Sequence, residues 1–250
     1  MEQRRKQIVN LVNQEGMVKF SRLKSAFPDV SDMTLRTDLK YLDQNRQLVR
    51  VHGGAKSVNY VVGTDDLISR RAERSRDEKI SIAKKAAELL RPNDVIFMDS
   101  GTTATEMARQ IPDEEFIIFT TGIECLRELS QLTRPQIYIL GGRFSPSSMC
   151  VTGTKPLLEM EKLHFDVAFL GTTSYNRQMG FCCGGEDDSA IKKAALEHAE
   201  KAVVLMDSTK TGLASTFSFA KLCQVQAVIT DEGIDKEFVK ECETLGVEVL

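Results

Sequence analysis

The sequence predicts an α/β protein in which a small helical module precedes a mostly parallel sheet, and three observations predict it. Apolar spacing is helical up to about residue 45, strand-like and helix-like stretches alternate after about residue 77, and the sign of the charge changes between the two parts. Residues 1–56 hold eleven Lys/Arg against six Asp/Glu, a net of +5, whereas the rest of the chain holds 22 against 30, a net of −8. A basic module joined to an acidic one suits a small part that meets a polyanion and a large part that does not.

Within the basic part, Ile8, Leu11 and Val12 recur at helical spacing and Gly16 supplies a stop, so residues 2–15 form the first helix. Residues 17–20 are too short for anything but an extended connector. Ser21 then reads as the N-cap of a short helix carrying Leu23, Ala26 and Phe27, closed by Pro28. Ser31 caps a third helix that runs to about Asn45. With Leu35 at the origin of a helical wheel, Leu39 and Leu42 fall at about 40° and −20°, while Arg36, Lys40, Met33, Gln44 and Thr37 fall between about 100° and 200°. One face is apolar and the other cationic and hydrogen-bonding. Residues 47–52 alternate in strand fashion into Gly53-Gly54, a candidate β-wing. Three helices with a short connector between the last two, followed by a wing, are the winged helix-turn-helix layout, in which the third helix enters a major groove. The candidate DNA contacts are Ser31, Thr34, Arg36, Thr37 and Lys40, with Arg50 and His52 reaching phosphate or a minor groove.

Residues 57–76 read as a linker containing an Arg-rich helix, and residues 77–250 as the α/β domain. In that domain 94–98, 116–120, 136–140, 165–170, 202–206, 226–230 and 247–249 read as strands, and 78–90, 103–111, 188–200 and 234–245 as amphipathic helices. Ligands of such sheets bind at the carboxyl ends of the strands. Five of those ends carry small, hydroxyl or cationic residues: 99–105, 120–122, 141–143, 171–173 and 207–210. Together they predict a polar pocket for a small, hydroxyl-rich, phosphorylated molecule. Its candidate residues are Asp99, Ser100, Gly101, Thr102, Thr103, Thr121 and Gly142, with Arg143 and Lys210 as counter-charges. Asp188 and Lys192, four apart on a helix, are within reach of the pocket, but their i,i+4 spacing favours a surface ion pair.

Other chemistries find no foothold. The six cysteines form no C-x-x-C pair, the three histidines are scattered, and the dinucleotide, Walker and H-E-x-x-H signatures are absent, so neither a metal nor a cofactor is expected. No apolar run approaches the roughly 20 residues of a membrane helix, and the basic opening leads into no apolar stretch, which predicts a cytoplasmic protein. A sugar-phosphate isomerase remains the alternative, with Asp99, Asp207 and Lys210 as acid or base. Against it, Gly171-Thr172-Thr173-Ser174-Tyr175-Asn176 offers no carboxylate. A protein-docking role for the basic module is disfavoured by the small apolar content of the third helix's outer face, Met33 and Tyr41.

The stretch from Val30 to Leu39, then Val49-Arg50-Val51-His52-Gly53-Gly54-Ala55, Asp99-Ser100-Gly101-Thr102-Thr103, Gly141-Gly142, Asp207-Ser208-Thr209-Lys210 and Thr230-Asp231 resemble the DeoR-type transcriptional regulators in order and spacing over nearly the whole chain. The resemblance implies a winged helix-turn-helix joined to a sensor domain similar to ribose-5-phosphate isomerase. It implies a regulator, usually a repressor of sugar-catabolic genes, that binds operator DNA until a phosphorylated sugar binds. Independently, the matching of paired heads to paired half-sites predicts a homo-oligomer, a dimer or tetramer. Where that family has Arg-Arg-Asp-Leu, this chain has Arg36-Thr37-Asp38-Leu39, so one expected cation is replaced by a hydroxyl. Gly122 stands in place of a common Asn, and Asp188 in place of a Glu.

Overall fold

A computed structural model of the chain describes residues 2–15, 17–45, 47–51, 53–57, 68–213 and 215–250. The chain divides into two compact units, Met1–Asp65 and Asp66–Leu250.

The first unit is built from α1 (Glu2–Glu15), β1 (Met17–Lys19), α2 (Phe20–Ala26), α3 (Asp32–Gln44), β2 (Val49–Val51) and β3 (Gly54–Lys56). Ile8, Val12, Leu23, Leu35, Leu39 and Leu42 bury the facing stripes of its three helices against Val18, Leu48 and Ala55. The strands form an antiparallel sheet in the order β1-β3-β2, with Val18 and Arg50 both opposite Ala55. Gly54 is obligatory there, because a Cβ would lie 2.1 Å from the Val18 carbonyl oxygen. Gly53 takes the left-handed φ of +78° that turns the wing. The extended connector is thus a true strand. It also shifts the next helix: Phe20 N–H donates to Gly53 O at 2.7 Å, so α2 starts at Phe20, and Ser21 lies inside it rather than capping it. The proposed stop at Gly16 and the wing residue His52 lie outside the described residues.

The second unit opens with α4 (Ile68–Glu73) and α5 (Arg76–Ala87), and its sheet is parallel throughout. The strands are β4 (Val95–Met98), β5 (Ile117–Thr120), β6 (Gln136–Ile139), β9 (Phe165–Gly171), β12 (Ala199–Leu205), β14 (Ala227–Ile229) and β15 (Glu248–Val249), in the order β15-β14-β12-β9-β4-β5-β6. Alternate residues face opposite sides, as the pleat requires. Ile96, Met98, Val167, Phe169, Val203 and Leu205 pack on α5, α6 (Thr102–Ala108) and α7 (Ile123–Leu129). Phe97, Ala168, Leu170, Ala202 and Val204 pack on α8 (Thr154–Met160), α9 (Glu186–Glu197) and α10 (Lys236–Leu245). Two small antiparallel sheets come from segments for which the sequence predicts no strand: β7 (Arg143–Ser145) with β8 (Cys150–Thr152), and β10 (Ser174–Asn176) with β11 (Gly180–Cys183) and β13 (Phe217–Ala220). The helix expected over 188–200 ends at Glu197. Ala199 already pairs with Phe165, and Phe165 N–H takes the His198 carbonyl at 2.9 Å, so the parallel ladder claims this segment.

Chain order fixes where a ligand can sit. From β4 the chain runs through β5 and β6 on one side, then returns to β9, β12, β14 and β15 on the other. The reversal falls between the carboxyl ends of β4 and β9, where open α/β sheets carry their ligand crevice.

Candidate functional sites

In the first unit, α3 presents its polar face outward. Arg36, Thr37 and Lys40 are exposed, as is Arg50 on β2. Ser31 caps the helix: its Oγ accepts from Thr34 N–H at 3.2 Å and lies 2.9 Å from Thr34 Oγ1. Thr37 Oγ1 donates to the Met33 carbonyl at 2.9 Å, a back-bond that holds its methyl group on the exposed side of the helix. The Arg36 guanidinium lies 4.5 Å from the centre of the Phe20 ring, which orients it without neutralising it.

What holds α3 in place was not singled out in the sequence. Asp38 is 2% exposed and accepts from Arg4 Nε at 2.7 Å and Arg5 Nε at 2.8 Å, tying α3 to α1. Burial alone would raise its carboxyl, but the hydrogen bonds and charges of the two arginines win and hold it below the usual carboxylate range. A signal existed. On the wheel of α3, Asp38 falls at about −60°, beside Leu42 on the apolar stripe, where a carboxylate needs partners.

In the second unit the five nominated strand ends do meet on one edge of the sheet, since β12, β9, β4, β5 and β6 are consecutive neighbours and parallel. Asp99, at the end of β4, sits in the crevice and is fully buried. Its Oδ2 accepts from Gly171 N–H at 2.8 Å and forms an ion pair with Lys192 Nζ. Lys192 also lies 3.5 Å from Asp188 Oδ1. This overturns the reading of Asp188 and Lys192 as a surface pair: Lys192 is 3% exposed, and α9 aims it at the strand ends. Burial works against the Lys192 ammonium, but Asp188 and Asp99 outweigh it and hold the proton on. Burial, aided by Asp188 and resisted by Lys192, pushes the Asp99 carboxyl upward. Asp99 Oδ1 is buried and has no hydrogen-bond partner among the described residues.

The other nominated residues divide. Ser100 and Thr102 are half-buried at the crevice, and Thr103 is buried at the start of α6. The N-cap of α6 is Gly101, at φ +112°, so no side chain caps that helix. Thr121 is buried with its carbonyl accepting from Val151 N–H at 2.8 Å. Gly142 answers to packing, since a Cβ there would meet the Thr152 carbonyl at 2.7 Å. Arg143 is exposed and pairs with Asp187 of α9. Lys210, on a single 3-10 turn after β12, is largely buried and lies 3.3 Å from Asp207 Oδ2.

Residues 4–61 match the DeoR-like helix-turn-helix domain, and residues 74–232 match the DeoR C terminal sensor domain. The chain belongs to the DeoR family of transcriptional regulators. Similar relatives of this DeoR-family protein include a putative aga operon transcriptional repressor of Escherichia coli O157:H7, 29% identical over 99% of this chain and 93% of its own length. The regulator GlpR of Haloferax volcanii is 30% identical over 99% and 96%. The lactose phosphotransferase system repressor of Streptococcus mutans is 31% identical over 96% and 95%. Each is named as a regulator or repressor, and the isomerase alternative falls away with them. Among solved structures, a probable sor operon regulator of Shigella flexneri aligns with TM-score 0.44 at 11% identity, over 78% of this chain and 95% of its own. Ribose 5-phosphate isomerase A of Methanocaldococcus jannaschii aligns with TM-score 0.41 at 21% identity, over 54% of each. No helix among the described residues is long and apolar enough to cross a membrane.

Proposed function

We propose that this DeoR-family protein is a cytoplasmic repressor of a carbohydrate-utilisation operon, controlled by a phosphorylated sugar bound at the strand ends of the second unit. Residues 1–56 bind operator DNA, residues 57–76 link, and residues 77–250 sense. Arg36, Thr37, Lys40 and Thr34 meet base edges and backbone, while Ser31, Arg50 and His52 position the module. A dimer or tetramer follows from the pairing of heads with half-sites. The names of the relatives, which include aga and lactose-system repressors, support the sugar assignment.

The observation that carries the sensing role is the orphaned Oδ1 of Asp99 at the crevice between β4 and β9. A buried carboxylate oxygen without a donor costs free energy, and a sugar hydroxyl supplies that donor. Asp99 therefore takes the hydroxyl end of the ligand, because a phosphate would be repelled there. The effector acts by binding one arrangement of the chain better than another, with a coupling of about 1–3 kcal/mol typical of such control.

The test is a thermal-shift screen of phosphorylated sugars on the full chain, followed by operator binding with and without each hit. The expected result is a ligand that raises Tm and changes operator affinity at least about fivefold. A ligand that raises Tm and leaves operator affinity unchanged, or no stabilising sugar phosphate at all, overturns the reading.

A further inference from the structure

We propose that Met33, at the start of α3, selects thymine: its side chain packs on the C5-methyl group of a thymine in the major groove, with the methyl group of Thr37 beside it. The proposal rests on the reading of the first unit as the operator-binding head, and adds to it a contact residue and the base that residue selects.

Met33 is 75% exposed, more than any other large apolar side chain among the described residues. It takes no part in the apolar cluster that holds the three helices and the small sheet together. A lone exposed apolar side chain is ordinary on a protein surface, so its position decides the matter. On the wheel of α3, Met33 falls at about 160°, opposite the buried stripe, and Thr37 falls at about 200°, one turn further on, so the two share a ridge. Arg36 and Lys40, at about 100° and 140°, form the neighbouring ridge, and both are exposed. Tyr41 continues the first ridge at about 240°, but the Arg5 guanidinium lies 3.6 Å from its ring centre. Arg5 is held in turn by Asp38, so Tyr41 belongs to the mounting of the helix.

The placement along the helix agrees. Met33 is the second residue of α3, whose start is fixed by the Ser31 cap, and the N-terminal residues of a helix lying in a major groove are those that reach base edges. The carboxylate of Asp32, next to it in the chain, is paired with Lys24 Nζ at 2.7 Å, which reduces its repulsion of approaching phosphates.

The chemistry of the groove then names the base. Every base pair presents hydrogen-bonding groups there, and the thymine C5-methyl is the one apolar group among them. A thioether has no donor and is only a weak acceptor, so pressing it on a polar base edge strips water from that edge and returns nothing. Against a thymine methyl, water leaves two apolar surfaces at once. Thr37 presents the same character, because its hydroxyl is committed to the Met33 carbonyl at 2.9 Å. A protein partner fits the ridge poorly. One methionine and one methyl group fall well short of the roughly 300 Å² of a docking patch, and the flanking cations suit a polyanion.

The probe is the duplex that the full wild-type chain selects from a random-sequence library. Each thymine of its half-site is replaced in turn by deoxyuridine, which removes the C5-methyl and nothing else. At one thymine the wild-type affinity falls about fourfold, the worth of one buried methyl group. M33A binds the thymine and deoxyuridine duplexes equally at that position, with the Tm and salt dependence of wild type, whereas R36A binds more weakly and keeps the fourfold ratio. With C·G in place of that T·A pair, 5-methylcytosine restores part of the lost affinity to wild type and none to M33A. A half-site in which no thymine methyl matters, or one whose methyl matters equally to wild type and M33A, overturns the assignment of Met33 and leaves the operator reading standing, since a duplex was selected. A library that yields no preferred duplex overturns the operator reading and this assignment with it.

Discussion

The two units handle charge in opposite ways. In the first, the residues assigned to chemistry, Arg36, Thr37, Lys40 and Arg50, stand in solvent, and the buried charge, Asp38, is fully partnered by Arg4 and Arg5. In the second, the chemistry lies inside: Asp99, Lys192, Asp207 and Lys79 are all 3% exposed or less, and an Asp99 oxygen and the Arg71 Nε lack partners among the described residues. The contrast follows from the ligands. DNA brings a dense row of phosphates that exchange counterions with any solvated cation, so exposed side chains suffice and only their mounting needs to be rigid. A small molecule offers a few groups, and recognition has to come from desolvated, pre-positioned partners that stay strained until it arrives.

The largest effect expected from this contrast is at the buried pair of the second unit. Removing Lys192 alone, as K192M, leaves Asp99 buried with no counter-ion, and breaking such a pair costs about 3–5 kcal/mol. Chemical unfolding followed by circular dichroism should show that loss in the transition of the second unit. The double variant D99L/K192M should recover much of it, since similar-sized apolar groups replace both charges. A double variant as unstable as K192M would mean that Asp99 and Lys192 are not energetically coupled.

In the first unit the corresponding change is milder. D38N leaves Arg4 and Arg5 without their carboxylate, but both are partly exposed, 24% and 16%, and can rehydrate. The expected cost is about 1.5–3 kcal/mol, read as faster amide exchange in α3, with weaker operator binding because the helix is no longer held. R36A should do the opposite. It leaves α3 protected, within about 0.5 kcal/mol, yet lowers specific operator affinity by about 1–3 kcal/mol. Should R36A and D38N lower affinity through the same loss of protection, Arg36 is a structural residue rather than a contact.

Exposure also decides what could be read from sequence. The wheel of α3 and the cap at Ser31 are local properties, and both stand in the structure. So are the alternating strands, because each buries its own side chains on a sheet covered on both faces. Asp99 was legible as a polar residue at a strand end. Its pairing with Lys192 was not, because 93 residues separate them and the i,i+4 spacing to Asp188 pointed to solvent. The same holds for Lys79, whose partners are backbone carbonyls that no residue pattern reveals. Ser21 failed for a related reason: the hydrogen bond that fixes the start of α2 comes from Gly53, across the small sheet.

The smallest expected effect separates the two kinds of site by pH. Lys79 titrates at about 8 in the folded chain, against 10.5 for the free side chain. Between those values the unfolded chain keeps a proton that the folded chain has released, so stability rises with pH, by at most about 1.4 kcal/mol per unit. Burial pushes Cys125, Cys183 and Cys242 up to about 12 from 9 and raises Cys150 and Cys182 as well, so from about pH 8 upward the unfolded chain sheds thiol protons that the folded chain keeps, which lowers stability. Lys192 stays protonated in both states across this range. The thiols of the unfolded chain titrate in the same interval, so the Lys79 contribution is read as the difference between wild type and K79M from pH 8 to 9, across which wild type should gain stability relative to K79M in the transition of the second unit. A K79M profile parallel to that of wild type from pH 8 to 9 would show that Lys79 is as well compensated as Asp38, and the contrast between the two units would rest on exposure alone.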